Sequence, residues 1–231
     1  NHRYHWSHGS GKTTFFNLIA GNLKPNDGKV FFNSKDITNT PSYELFSKGI
    51  LRTFQIAHEF TNLTVLENLM MVPGNQSGEN LINALFKPSL IKKEEDVIRK
   101  KAYEVIEFLN LKHLANELAG NLSGGQKKLL ELGRTMMVDA QLVLLDEVGA
   151  GVNRTLLKDL GTAILRLNKE KGYTFCMIEH DMDFISRMCD PVIVMSEGSV
   201  LFQGTPDEVK KNEKVIESYL GRANKFSGEN N

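Results

Sequence analysis

The chain has 231 residues, 41% of them hydrophobic and 24% charged, with 28 basic residues balancing 28 acidic ones. Such a chain reads as a soluble globular domain with room for a subdomain, and its neutral balance gives no electrostatic argument for a nucleic-acid partner. No apolar run approaches the roughly 18 residues that suggest a membrane span, so a membrane role is expected to be peripheral, and two cysteines without metal-type spacing point to a reducing compartment.

Along the chain, the first pattern is "HGSGKTTFFNLIAG". It reads as a phosphate-binding loop entering a helix, with Trp6 where G-x-x-x-x-G-K-[ST] wants its first glycine. A buried strand is expected before such a loop, and "NHRYHW" does not read as one. "KVFFN" after the turn "KPNDG" and then "GILRTFQ" read as strands, and "TVLENLMMV" as a helix. Residues 73–92 carry two prolines and glycine turns and read as an inserted or mobile segment. From Lys93 to Leu111, Ile98, Ala102, Val105 and Leu109 recur at helical spacing. "NLSGGQKKLLELGR" reads as a helix capped by Ser123, with Gln126 three residues on. "QLVLLDE" and "YTFCMIEH" are uniformly apolar runs of the kind found in parallel sheets buried on both faces. Arg154 to Lys171 is a charged helix, "PVIVMSEGSVLFQGTP" a hairpin with a Glu-Gly turn, and "NKFSGENN" a polar tail. The alternation of strands and helices predicts an α/β architecture.

Three of these stretches carry chemistry. Glycines in the first let backbone N–H groups converge on phosphate oxygens, with the positive end of the helix behind them. Lys12 would reach the β- and γ-phosphates and Thr13 would ligate Mg²⁺, although a glycine-rich turn with an incidental lysine reads the same way. Asp146 and Glu147 end a buried strand where open α/β sheets bind ligands, or are merely solvated charges. Gly124 and Gly125 behind Ser123 expose backbone donors to an anion, or the helix is simply capped.

Together these motifs resemble those of the ATP-binding subunits of ABC transporters. "LSGGQ" (Leu122–Gln126) is similar to the family's signature motif and "LVLLDE" to its Walker B strand. Gln55 in "LRTFQ" matches the Q-loop, "AGVN" (Ala150, Gly151, Val152, Asn153) the D-loop, and His180 in "MIEHDM" the switch histidine. The resemblance implies a P-loop NTPase fold, the ABC ATPase cassette, with an α/β core at residues 8–55 and 136–221 and a helical subdomain at 56–135. Residues 1–7 are then an atypical start and 222–231 the tail. It implies ATP and Mg²⁺ as ligands, with His8, Gly9, Ser10, Gly11, Lys12, Thr13 and Thr14 on the nucleotide. Thr13, Gln55 and Asp146 would serve the metal, and Glu147, His180 and Gln55 catalysis. Ser123, Gly124, Gly125 and Gln126 would meet the ATP of a second subunit, so the working unit is a homo- or heterodimer. Transmembrane permease subunits, and an external solute-binding protein indirectly, are the implied partners, with the chain peripheral on the cytoplasmic face of the plasma (inner) membrane and without nucleic acid.

"RTFQIAHEFTNLTVLENLM", "EHDMDFI" and "VIESYLG" look like the branched-chain amino acid transporter subunits within that family. The implied function is hydrolysis of MgATP to power amino-acid import. The alternatives are urea or amide import, lipopolysaccharide export, a soluble cassette protein acting on ribosomes or DNA, or a non-catalytic truncated cassette. Departures from the family pattern are Trp6, Val148 and Arg154, the last two standing where prolines are common. Tyr4 lies too close to Lys12 to act as the family's adenine-stacking aromatic. The abrupt change at His8 leads to the expectation that residues 1–7 are a truncated, frame-shifted or appended start.

Overall fold

The computed structural model describes residues 3–5, 11–53, 59–74, 76–79, 86–138 and 140–218, the first three by backbone alone. Strand β1 (Arg3–His5) precedes helix α1 (Lys12–Ile19), and β2 (Phe31–Phe32) and β3 (Lys35–Asp36) form a small antiparallel hairpin. Then come α2 (Ser42–Ser47), β4 (Ile50–Arg52), α3 (Val65–Met70), α4 (Pro88–Phe108), α5 (Gly124–Met136) and β5 (Leu142–Asp146). The chain continues through α6 (Arg154–Lys171), β6 (Thr174–Glu179), α7 (Met182–Met188), β7 (Val192–Ser196), β8 (Ser199–Gly204) and α8 (Pro206–Lys211). Helix starts follow local chemistry. Thr64, Ser123 and Thr205 each accept from the third helical N–H while Glu67, Gln126 and Glu208 reach back, forming capping boxes at α3, α5 and α8. Asp181 caps α7 by accepting from the amides of Asp183 and Phe184.

The chain divides into two compact units: Asn1–Gln55, Gln141–Ala150 and Leu167–Asn231, and Ile56–Ala140 with Gly151–Arg166. The first is built on a six-stranded sheet in the order β4-β5-β6-β1-β7-β8. Every neighbouring pair is parallel except the β7–β8 hairpin, which turns through Glu197 and Gly198, both at positive φ. Four of the five residues of β5 and five of the six of β6 are buried, which explains their uniformly apolar sequences. Phe16 and Ala20 of the α1 segment pack with Leu144, Cys176 and Ile178, while Ile37, Leu45 and Ile50 form a second cluster.

One expectation is corrected here. Arg3–His5 is an interior strand, with Arg3 opposite Met177 of β6 on one side and Val192 of β7 on the other. Three extended residues are too few to show a period, and ladder hydrogen bonds from both neighbours do not depend on side-chain polarity.

In the second unit, Val105, Leu109 and Leu69 close on Gly133 of α5, where an added Cβ would come within 2.8 Å of Leu109 Cδ1. Asn68 is fully buried, and its amide donates to the carbonyls of Phe60, Leu63 and Thr64, fixing the turn into α3. The helix expected from Lys93 begins five residues earlier, with Pro88 at a first-turn position that lacks nothing by having no N–H. Part of the segment expected to be inserted or mobile is tied down: the amide and hydroxyl of Ser77 both donate to the Glu94 carboxylate.

Candidate functional site

Helix α1 starts without a side-chain cap, behind Gly11 at φ 89, a left-handed conformation that suits glycine. Its first residue, Lys12, is 7% exposed. Burial lowers the Lys12 pKa, and the charges of Glu147, Asp146 and Glu179 act in the other direction. The ammonium lies 3.0 Å from His180 Nε2, and the same nitrogen lies 2.7 Å from Glu147 Oε1. Nε2 cannot donate to a carboxylate and accept from a lysine in one tautomer. The shorter contact takes the Nε2–H form, in which the acceptor Nδ1 lies 3.4 Å from the Lys12 ammonium. A cation, an imidazole and a carboxylate thus meet at the carboxyl ends of β5 and β6.

Asp146 is 5% exposed and accepts at Oδ2 from Arg52 Nη2 at 2.8 Å. Arg52 Nη1 donates to Asn17 Oδ1, and the guanidinium sits 5.8 Å from the centre of the Phe16 ring. One arginine therefore ties the acid at the end of β5 to the helix behind the phosphate loop. Sequence reasoning missed it, although a charge inside the apolar run "GILRTFQ" was the available signal.

Glu147 adopts φ 47, uncommon for a residue with a Cβ. Its amide donates to the Ile178 carbonyl at 2.9 Å, and its carbonyl accepts from the Ala150 amide at 3.0 Å. Two residues on, the Gly149 amide donates to Glu179 Oε1 at 2.8 Å. Glu179 is 4% exposed; burial raises its pKa, against backbone hydrogen bonds from Gly149 and His180 that favour the carboxylate. This acid too was missed, being read as the charged end of an apolar strand.

Among the described residues no three His, Cys, Asp or Glu side chains group into a metal cage. The hydroxyl of exposed Thr13 and the carboxylate of Asp146 are hard oxygen donors, a set that suits Mg²⁺ sharing phosphate oxygens better than a metal held by protein alone. The uncapped α1 and buried Lys12 suit the phosphates themselves.

Lys12, Asp146, Glu147 and His180 all belong to the first unit, as do Thr13, Thr14 and Ala150. Ser123, Gly124, Gly125 and Gln126 belong to the second, with Gly151, Val152 and Asn153. There the Ser123 hydroxyl accepts from the Gln126 amide while Gln126 Oε1 accepts from the Ser123 amide. Asn153 Oδ1 accepts from the Leu156 amide at the start of α6. His8, Gly9, Ser10 and Gln55 lie outside the described residues.

Residues 7–150 match the family described as ABC transporter, and residues 199–224 match the one described as branched-chain amino acid ATP-binding cassette transporter. The chain is 45% identical over 213 residues to the Archaeoglobus fulgidus protein named "Probable branched-chain amino acid transport ATP-binding protein LivG", covering 92% of this chain and 81% of that one. A protein of the same name from Methanocaldococcus jannaschii is 43% identical over 217 residues, covering 92% and 83%. The solved ADP conformation of an ATP-binding cassette of an ABC transporter superposes with a TM-score of 0.79 at 40% identity, covering 95% of this chain and 87% of that one. The chain belongs to the ABC transporter family as one of its ATP-binding cassettes, a P-loop NTPase whose ATP hydrolysis is coupled to transport.

Proposed function

We propose that this cassette hydrolyses MgATP to drive import of branched-chain amino acids. The meeting of Lys12, His180 and Glu147 carries the hydrolytic part of the reading. The substrate rests on the names of the relatives and on the matched C-terminal family, which together favour amino acids over urea, amides or lipopolysaccharide.

In this reading Lys12 and the amides at the start of α1 hold the β- and γ-phosphates, with Gly9, Ser10, Gly11 and Thr14 lining the loop. Thr13, Asp146 and Gln55 are the residues that would hold Mg²⁺. When bound, the ion neutralises charge on the phosphate oxygens. Glu147 accepts the proton of the attacking water, and its contact with His180 Nε2 fixes the carboxylate for that task. His180 in turn reaches the γ-phosphate. Residues 56–135 serve as the helical subdomain, and Ser123 to Gln126 complete the site of a second cassette. The working partners are that cassette and transmembrane permease subunits, at the cytoplasmic face of the plasma membrane. Among the described residues no helix is long and apolar enough to cross a membrane.

The test is reconstitution with the permease subunits and external binding protein in vesicles, followed by leucine uptake with and without ATP. Glu147→Gln should abolish uptake and lower hydrolysis by about 10²–10⁴-fold while nucleotide still binds. Hydrolysis that drives urea uptake and leaves leucine outside would overturn the substrate assignment, and near wild-type turnover by the variant would remove Glu147 from its role.

A further inference from the structure

We propose that Glu179 is a positioning residue for hydrolysis: its buried carboxylate holds the turn carrying Glu147 against the end of β6, next to His180. The inference rests on the roles given above to Glu147 and His180, and assigns a third, buried acid that acts through a backbone amide.

Glu147 must hold a left-handed backbone conformation, disfavoured for any residue with a Cβ and kept only where the surroundings over-determine it. Two of the restraints on its turn are backbone to backbone, Glu147 amide to Ile178 carbonyl and Ala150 amide to Glu147 carbonyl. Any sequence could make those. A side-chain restraint on the same turn is the 2.8 Å hydrogen bond that Glu179 Oε1 accepts from the Gly149 amide. No proline occurs from Asp146 to Ala150, so no ring locks a φ angle in this turn. Glu179 directly precedes His180, the residue whose ring meets Glu147. Glu179 therefore holds the turn two residues beyond Glu147, while the chain runs from it directly into His180.

Packing alone would place an apolar side chain here. Glu179 ends β6 after four other buried residues and is itself 4% exposed. Burial penalises its charged form, and the Glu147 charge adds to that penalty. An acid kept at such a position is kept for what it accepts. Register explains the reach: Asp146 pairs with Ile178 across β5 and β6, which sets the residues after Asp146 beside the residues after Ile178.

The experiment compares Glu179→Gln and Glu179→Met in the full chain by steady-state hydrolysis and by ATP binding. Methionine matches the side chain in length and accepts nothing, so kcat should fall by about 10²-fold, the cost of misplacing a catalytic group by an ångström. KM and ATP affinity should change far less than kcat, because Glu179 acts on Lys12 only as the smallest of three acidic charges and α1 keeps its sequence. Glutamine retains an acceptor for Gly149 and should keep most of the turnover. A Gln variant that loses as much as the Met variant would make charge, and not the clamp, the important property and overturn the proposal. So would a Met variant with wild-type kcat. Should the Met variant fail to fold by circular dichroism, the Gln variant decides alone. Wild-type chain without ATP hydrolysis would sink the underlying reading instead, a result distinct from either variant outcome.

Discussion

Arg52 occupies a strand whose other two residues, Ile50 and Leu51, are 4% and 7% exposed. Its side chain is 12% exposed and that of its partner Asp146 is 6% exposed, so the pair is largely out of water. Two desolvated charges gain little net stability from each other, yet removing one leaves the other uncompensated. Near Asp146 the remaining charges include the acids Glu147 and Glu179 and the cation Lys12, whose ammonium meets His180. Arg52→Met should therefore destabilise the fold by about 3–5 kcal/mol in urea titrations. Adding Asp146→Asn should recover part of that loss, with a coupling of about 0.5–3 kcal/mol. Lysine should substitute poorly, because one ammonium cannot reach Asp146, Asn17 and the Phe16 face as a planar fork does. Additive effects of the two substitutions would show that the ion pair contributes nothing to this site.

At the scale of elements, the start of α5 was readable because a capping box is local: Ser123 and Gln126 specify it within four residues. Strands β5 and β6 were readable because burial on both faces leaves a continuous apolar run. What sequence could not show depends on pairing between distant segments. Arg52 and Glu179 are single charges at the ends of apolar strands, and their partners Asp146 and Gly149 arrive only when β4, β5 and β6 align. β1 escaped notice because its place is set by the gap between β6 and β7, and α4 was started late because Pro88 reads as a breaker before it reads as a first-turn residue. Gly125 had been read for its exposed backbone donors, but it also has a packing role. An added Cβ would lie 2.4 Å from Leu156 Cδ1 and 2.7 Å from Leu156 Cβ, so rotating the leucine side chain cannot clear it. Gly125→Ala should thus cost about 1–3 kcal/mol in thermal unfolding despite the better helix propensity of alanine. Gly124→Ala, where the nearest atom is the Gly151 carbonyl at 3.7 Å, should be stable, and equal effects of the two would refute the packing argument.

For the whole molecule, Lys12, Asp146, Glu147 and His180, to which the proposed function gives phosphate, metal and water, lie in one unit and Ser123 to Gln126 in the other. Ser123 and Gln126 satisfy each other within their own cap, and Ser123 and Gly124 are exposed. In the proposed function the signature residues complete the site of a second cassette, so ATP held uncleaved should link two chains. Ligand that binds the dimer better than the monomer shifts association by mass action. In Glu147→Gln, MgATP should lower the dimer dissociation constant by at least about tenfold, or about 1.4 kcal/mol, read by analytical ultracentrifugation. Lys12→Ala should show no such shift, because the bridging nucleotide is not held. Ser123→Arg should still bind ATP through its own Lys12 yet fail to dimerise, since its bulk and charge fall on the exposed start of α5 that the proposal sets against the partner's nucleotide. A Glu147→Gln chain that stays monomeric at saturating MgATP would reject the shared site, whereas an ATP-driven dimer insensitive to Ser123→Arg would place the contact away from the signature motif.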